Sequence, residues 1–279
     1  MRKVLSIFFF IFVFSGCSSV PVSNPEVKEE ASVVENSAVE KKINLVELQD
    51  SFFIPILALH HVGNPPASLS DSAKTWYISE EKFENILRVI EDNDYTALSM
   101  TEFLDFLRQK KIPEKSIVLT FDDGAKDFYE VAFPLLQKYN VKATMHIMTG
   151  VRGDDWLSAE EIKEMHDTGL VDFESHTKYH AYLTRISRDE ALVELQKSKE
   201  YLESILEKQV EVIAYPFGLY NEDVKDIARE AGYKVGLTIK GNIEQKSDDL
   251  LELHRIIITE YSNIEEILSI EEVDKMPKL

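Results

Sequence analysis

An α/β fold built on a parallel sheet is the expectation for this chain of 279 residues. Three observations carry it. Short apolar runs of strand length alternate with longer stretches of helical periodicity from about residue 52 to residue 260. Serine followed three residues later by glutamate opens three of the helical stretches, Ser99 with Glu102, Ser158 with Glu161 and Ser187 with Glu190. Residues able to do chemistry fall just after the apolar runs, at the strand ends where parallel sheets carry their sites. Repeated βα units form either a closed barrel or an open doubly wound sheet, and the spacing alone fits both.

The chain starts with Arg2 and Lys3, an apolar run from Val4 to Phe14, and Ser15-Gly16-Cys17. That pattern reads as an export signal, with an apolar run too short for an ordinary spanning helix. The small residues before the only cysteine resemble a bacterial lipobox, although Phe14 stands where such boxes usually carry leucine. The resemblance implies cleavage before Cys17, a lipid anchor on it, and an exported lipoprotein held at a membrane of the cell envelope. Residues 18–50, rich in Ser, Val, Glu, Pro and Asn, read as a flexible tether. Residues 51–279 form the expected folded domain.

Within that domain, Phe52 to His60 reads as a first strand ending in two histidines. Ser79 caps a helix carrying Phe83, Ile86, Leu87 and Ile90, and Ser99 opens the next, carrying Phe103, Phe106 and Leu107. Strand 116–121, helix 126–139, strand 143–148, helix 159–168 and strand 171–174 follow. A long helix after Ser187 buries Leu192, Leu195, Leu202 and Leu206. Strand 210–215, helix 222–231, strands 233–239 and 254–258 and a terminal helix over 262–270 complete the pattern.

The run Ile117-Val118-Leu119 delivers Asp122 and Asp123 into a glycine turn at Gly124. Two adjacent carboxylates at the end of a buried strand repel and are costly to desolvate, and a cation resolves the conflict. His176 and His180 lie four residues apart after another apolar stretch, so both rings can face one point. One aspartate with two histidines gives the three protein ligands characteristic of catalytic zinc sites, whereas structural sites close with four and usually use cysteine.

Thr120 to Gly124 and His176 to His180 resemble the first two motifs of the NodB-homology polysaccharide deacetylases, and Tyr215-Pro216-Phe217-Gly218 resembles the third. Ile56 to Val62 is similar to the N-terminal element of the branch acting on poly-β-1,6-N-acetylglucosamine, in which the last motifs are permuted to the front. The resemblance implies a distorted (β/α)7 barrel over the folded domain and a metal-dependent hydrolase that removes N-acetyl groups from polymeric N-acetylglucosamine, releasing acetate. Asp123, His176 and His180 are then the ligands of a divalent metal, zinc by resemblance. Asp122 is the base and His60 the acid. Phe217 presents its N–H to the oxyanion, beside Tyr215. His254, in Leu253-His254-Arg255, is the alternative acid, because it resembles the C-terminal motif of unpermuted members. The usual third motif places an arginine where this chain has Ala214. Whatever orients Asp122 must therefore come from elsewhere.

A net charge of −19 argues against nucleic acid or anionic lipid as a partner surface, and 44% hydrophobic content supports a sizeable core. Other amino-sugar polymers, peptidoglycan and chitin-like oligomers, remain alternatives to the β-1,6 polymer. The missing arginine motivates a second reading, a carbohydrate-binding surface lipoprotein without catalysis. Two histidines and a carboxylate also suit non-haem iron, but nothing else in the chain points to oxygen chemistry.

Overall fold

The computed structural model describes residues 44–269. The export signal, Cys17 and residues 18–43 of the expected tether lie outside them. Seven parallel strands build the body: β1 (Ile56–Leu59), β2 (Ser116–Phe121), β3 (Ala143–Ile147), β4 (Val171–Ser175), β5 (Val212–Ala214), β6 (Val235–Leu237) and β7 (Ile256–Ile257). They are ordered β6-β5-β4-β3-β2-β1-β7. Leu57 lies opposite Leu119 and Phe173 opposite Met145 in the parallel register.

The two ends of this row meet. Leu253, just before β7, donates its N–H to Gly236 O at 2.9 Å and accepts from Thr238 N–H at 2.8 Å, which bridges it to the end of β6. The sheet is therefore a (β/α)7 barrel, distorted where this short bridge replaces a full ladder.

Besides a single turn at Asp71–Lys74, the helices of the described residues are α1 (Glu80–Asp92), α2 (Met100–Gln109), α3 (Phe133–Tyr139), α4 (Ala159–Asp167), α5 (Arg188–Leu206), α6 (Glu222–Glu230) and α7 (Ile264–Leu268). All three serine–glutamate boxes form both of their reciprocal hydrogen bonds, at the starts of α2, α4 and α5. Strand alternation sorts the core into two layers. Ile117, Leu119 and Phe121 pack outward among the helices with Phe83, Ile86 and Leu87, while Val118 turns inward to Ile56, Val212, Ala214, Val235 and Leu237. Burying each such side chain contributes about 1.5–3 kcal/mol.

Some elements differ from the sequence expectation for local reasons. Pro55 divides the first strand into Ser51–Phe53, paired antiparallel with Glu244–Lys246, and β1. The expected helix 126–139 opens as a π-helical turn, Phe128–Ala132, because Pro134 at the start of α3 has no N–H to continue an α ladder. Leu45–Glu47 pairs antiparallel with Lys111–Pro113, so the ordered body begins inside the expected tether. Three exposed residues give no periodic signal.

Candidate active site

The strand ends converge on one cavity of about 830 Å³, a size suited to sugar-sized ligands. His60 follows β1, Asp122 and Asp123 follow β2, His176 and His180 follow β4, and Tyr215 and Phe217 follow β5; all line it. The loop after β2 turns sharply, with Asp123 at φ 77° and Gly124 at φ 90°. The φ of Gly124 is one that side chains rarely adopt, so a substitution there would be strained, and an added Cβ would also press on Ile147 Cδ1 at 2.8 Å.

His176 is buried, and its Nδ1–H donates to Ala214 O at 2.8 Å, which leaves Nε2 unprotonated and facing the cavity. Thr177 and His180 hold positive φ of 65° and 57°. That bend is fixed by the His180 N–H on Thr177 Oγ1 at 2.9 Å, and by Glu194 Oε2, which accepts from the N–H groups of Lys178 at 3.0 Å and Tyr179 at 2.8 Å. Asp123 Oδ1 then stands 3.5 Å from His176 Nε2 and 3.8 Å from His180 Nε2.

The three donor atoms lie within 4.8 Å of one another, close enough to hold one metal ion. Their state suits a cation. Asp123 Oδ1 is buried without a hydrogen-bond partner. Burial, and then the charge of Asp122, push the Asp123 carboxyl up to about 7. Burial lowers His176 to about 3 and lowers His180 as well, so both rings are neutral ligands. Nitrogen and oxygen donors in a trio, with no cysteine, match catalytic divalent-metal sites.

Asp122 is 2% exposed and Arg255 1%. Their side chains form a two-pronged pair, Nη1 to Oδ1 and Nη2 to Oδ2, both at 2.7 Å. Arg255 Nη1 also donates to Thr120 Oγ1 and Nε to Thr238 O, each at 3.1 Å. Burial alone would raise the Asp122 carboxyl; Arg255, followed by His176 and His146, outweighs it and holds the group well below the usual carboxylate range. Arg255 thus supplies the guanidinium that Ala214 cannot. The sequence signal was present beside His254, but the partner lies 133 residues away.

His60 packs its ring against Trp76 at 4.4 Å, and burial lowers it to about 4, so it rests as a neutral imidazole. His61 stacks on Tyr77 at 4.1 Å and pairs through Nδ1 with Asp127 Oδ2 at 2.6 Å. Asp127 had no sequence signal beyond its place in the turn after β2. Tyr215 is fully buried and spends its hydroxyl on Leu251 O at 3.0 Å, so it shapes the wall and offers no hydroxyl to a substrate. Phe217 sits in a 3-10 turn at φ 60° and is 40% exposed.

His254 is not brought to the cavity. Its N–H is bonded to Gln245 Oε1 at 2.8 Å, and its Nδ1 lies 3.1 Å from Glu244 O. On an extended segment it points away from its neighbour Arg255, which faces inward. His146 lies beneath the site, with Nδ1 3.2 Å from both Phe121 O and Asp122 Oδ1.

A parallel-stranded barrel with a clamped carboxylate beside a carboxylate–histidine trio defines a hydrolase-type site. The family model for polysaccharide deacetylases matches residues 109–236. Over 207 residues the chain is 32% identical to the poly-beta-1,6-N-acetyl-D-glucosamine N-deacetylase of Staphylococcus aureus, covering 69% of this chain and 71% of that protein. The Streptococcus pyogenes deacetylase PplD, solved with acetate, superposes with a TM-score of 0.72 at 33% identity, covering 79% of this chain and 99% of that one. A Bacillus cereus polysaccharide deacetylase gives 0.70 at 32% identity, covering 78% of this chain and 69% of its own. The chain belongs to the polysaccharide deacetylase family, and it is a hydrolase acting on amide bonds.

Proposed function

We propose that the protein is a zinc-dependent N-deacetylase of polymeric N-acetylglucosamine, with the β-1,6-linked polymer as substrate, held at the cell envelope by a lipid on Cys17. The observation that carries this reading is the Asp123, His176 and His180 trio beside an Asp122 fixed by Arg255. The name of the Staphylococcus aureus relative supports the choice of polymer, and the acid-and-histidine donor set supports zinc. The binding-only reading loses its motive, because Arg255 replaces the arginine missing at Ala214.

Asp123, His176 and His180 would hold the ion, whose Lewis acidity polarises a carbonyl and makes bound water more acidic. Asp122, kept ionised and rigid by Arg255, accepts the proton of the attacking water. The Phe217 N–H, in a turn closed by the Gly218 N–H on Tyr215 O at 2.8 Å, donates to the oxygen that gains charge. His60 passes a proton to the departing amine. A neutral His60 must first be protonated, and the step balances when the proton that Asp122 takes from the water is the one His60 hands to the amine.

Acetate release from β-1,6-linked N-acetylglucosamine oligomers by the zinc-loaded full chain tests the reading. Wild type is expected to release acetate, and Asp122→Asn to fall by about 10²–10⁴-fold, the range for a lost general base, with zinc still bound. Activity on β-1,4 oligomers alone would overturn the polymer assignment, and an active Asp122→Asn would overturn the base. For the acid, His60→Ala is expected to lower kcat by about a hundredfold or more, while His254→Ala stays within a few-fold of wild type. The reverse ranking would move the acid to the barrel-closing segment.

A further inference from the structure

The loop between β4 and α5 and the turn after β5 meet in a continuous stack of four side chains. The Phe217 ring meets the His180 imidazole edge-on at 4.4 Å on one side and lies nearly parallel to Tyr182 on the other, at 3.9 Å and 8°. Arg185 covers the far side of Tyr182, its guanidinium carbon 4.5 Å from the ring centre, and donates its backbone N–H to Tyr182 O at 2.8 Å. The order is therefore Arg185, Tyr182, Phe217, His180. Among the described residues no carboxylate pairs with Arg185 in a salt bridge.

Phe217 needs such support. Its φ of 60° and ψ of 10° place a residue with a Cβ in the left-handed region, which L side chains avoid. Burial does not hold it there, because the ring is 40% exposed. The turn alone does so only in part. Gly218 is pinned at φ 64°, where a side chain would lie 2.3 Å from Ile239 Cγ1, yet nothing in that contact fixes the residue before it. The stack supplies the missing constraint through the ring, since parallel aromatic pairs and cation–π contacts each favour one placement of the rings. Its other end bears on His180, beside Asp123.

We propose that Tyr182 and Arg185 are positioning residues. The stack they form holds Phe217 in its left-handed conformation, so that the Phe217 N–H faces the carbonyl oxygen of the bound amide. The inference rests on the reading of that N–H as the oxyanion donor.

The test uses the full chain with Tyr182→Leu, which keeps apolar bulk but offers no ring face, and Tyr182→Phe, which keeps the ring without the hydroxyl. Tyr182→Leu is expected to bind zinc at wild-type stoichiometry and to keep KM within about threefold, while kcat falls about ten- to a hundredfold. Tyr182→Phe is expected to restore kcat, and Arg185→Ala to fall between the two. An unchanged kcat in Tyr182→Leu with unmoved Phe217 shifts, or a loss carried wholly by KM, overturns the proposal. The backbone chemical shifts of Phe217 report the same displacement without turnover. They are expected to move in Tyr182→Leu and return in Tyr182→Phe, and unmoved shifts would overturn the stack's role. If the shifts move while acetate release stays at the wild-type rate, the stack stands as a conformational clamp and the oxyanion reading fails instead.

Discussion

Changing His176 to alanine is expected to strip the protein of stoichiometric zinc and reduce acetate release to background, a loss larger than the roughly 10–100-fold typical of altering a ligand's supporting partner. His176 is the most constrained of the three donors. It is 2% exposed, its ring is oriented by Ala214 O at 2.8 Å, and burial keeps it neutral. Removing it leaves Asp123 and His180, two donors where a three-ligand site is required, and opens a cavity the flanking strands cannot close. Chelation of the wild type should give the same loss. The two differ on repair: added zinc should restore the chelated wild type and leave His176→Ala inactive. Full zinc occupancy in His176→Ala, measured by metal analysis after dialysis, would sink the ligand assignment.

Much of the architecture is legible in the sequence because its causes are local. The serine–glutamate boxes at Ser99, Ser158 and Ser187 are satisfied within four residues, and each helix begins where its box stands. The metal trio is legible for a related reason. His176 and His180 share one loop, and Asp123 stands beside a second acid in a turn that a glycine completes. The left-handed residues of the site, Asp123, Thr177, His180 and Phe217, are a less visible part of the same design. Nothing in their identities announces a positive φ, at a cost of about 1–3 kcal/mol each. The surrounding contacts impose it, from Glu194 on one loop and from the Tyr182 ring on another.

What the sequence did not show is long-range. Asp127 finds His61 across 66 residues, and Arg255 finds Asp122 across 133. Nothing in the place of Arg255 beside His254 points to Asp122, and the barrel closure at Leu253 brings its segment to the site. The two neighbours His254 and Arg255 show how little identity decides here. Strand alternation sends the His254 side chain toward Glu244 O and the Arg255 side chain into the site. The histidine looked functional by resemblance, and it is the arginine that reaches the carboxylate.

Arg255→Met is accordingly expected to combine a stability loss with a catalytic one. Methionine keeps much of the side-chain volume and removes the guanidinium, leaving the Asp122 carboxylate buried with no counter-charge and Thr120 Oγ1 and Thr238 O without their donor. Breaking a buried pair from one side typically costs about 3–5 kcal/mol. For a domain of this size that lowers Tm by roughly 6–20 °C. The carboxylate left behind either takes up a proton or swings toward the cavity, and in neither state does it hold the water in line, so kcat is expected to fall by about a hundredfold or more. Arg255→Lys separates the two effects. A lysine restores the charge, and with it part of the melting temperature, but a single ammonium cannot reproduce two parallel hydrogen bonds, so most of the loss in kcat should persist. Recovery of wild-type kcat by lysine would mean that charge alone is needed and that the fork does not orient Asp122. A wild-type rate in Arg255→Met would mean that Asp122 is held by His146 instead, the other group within reach at 3.2 Å.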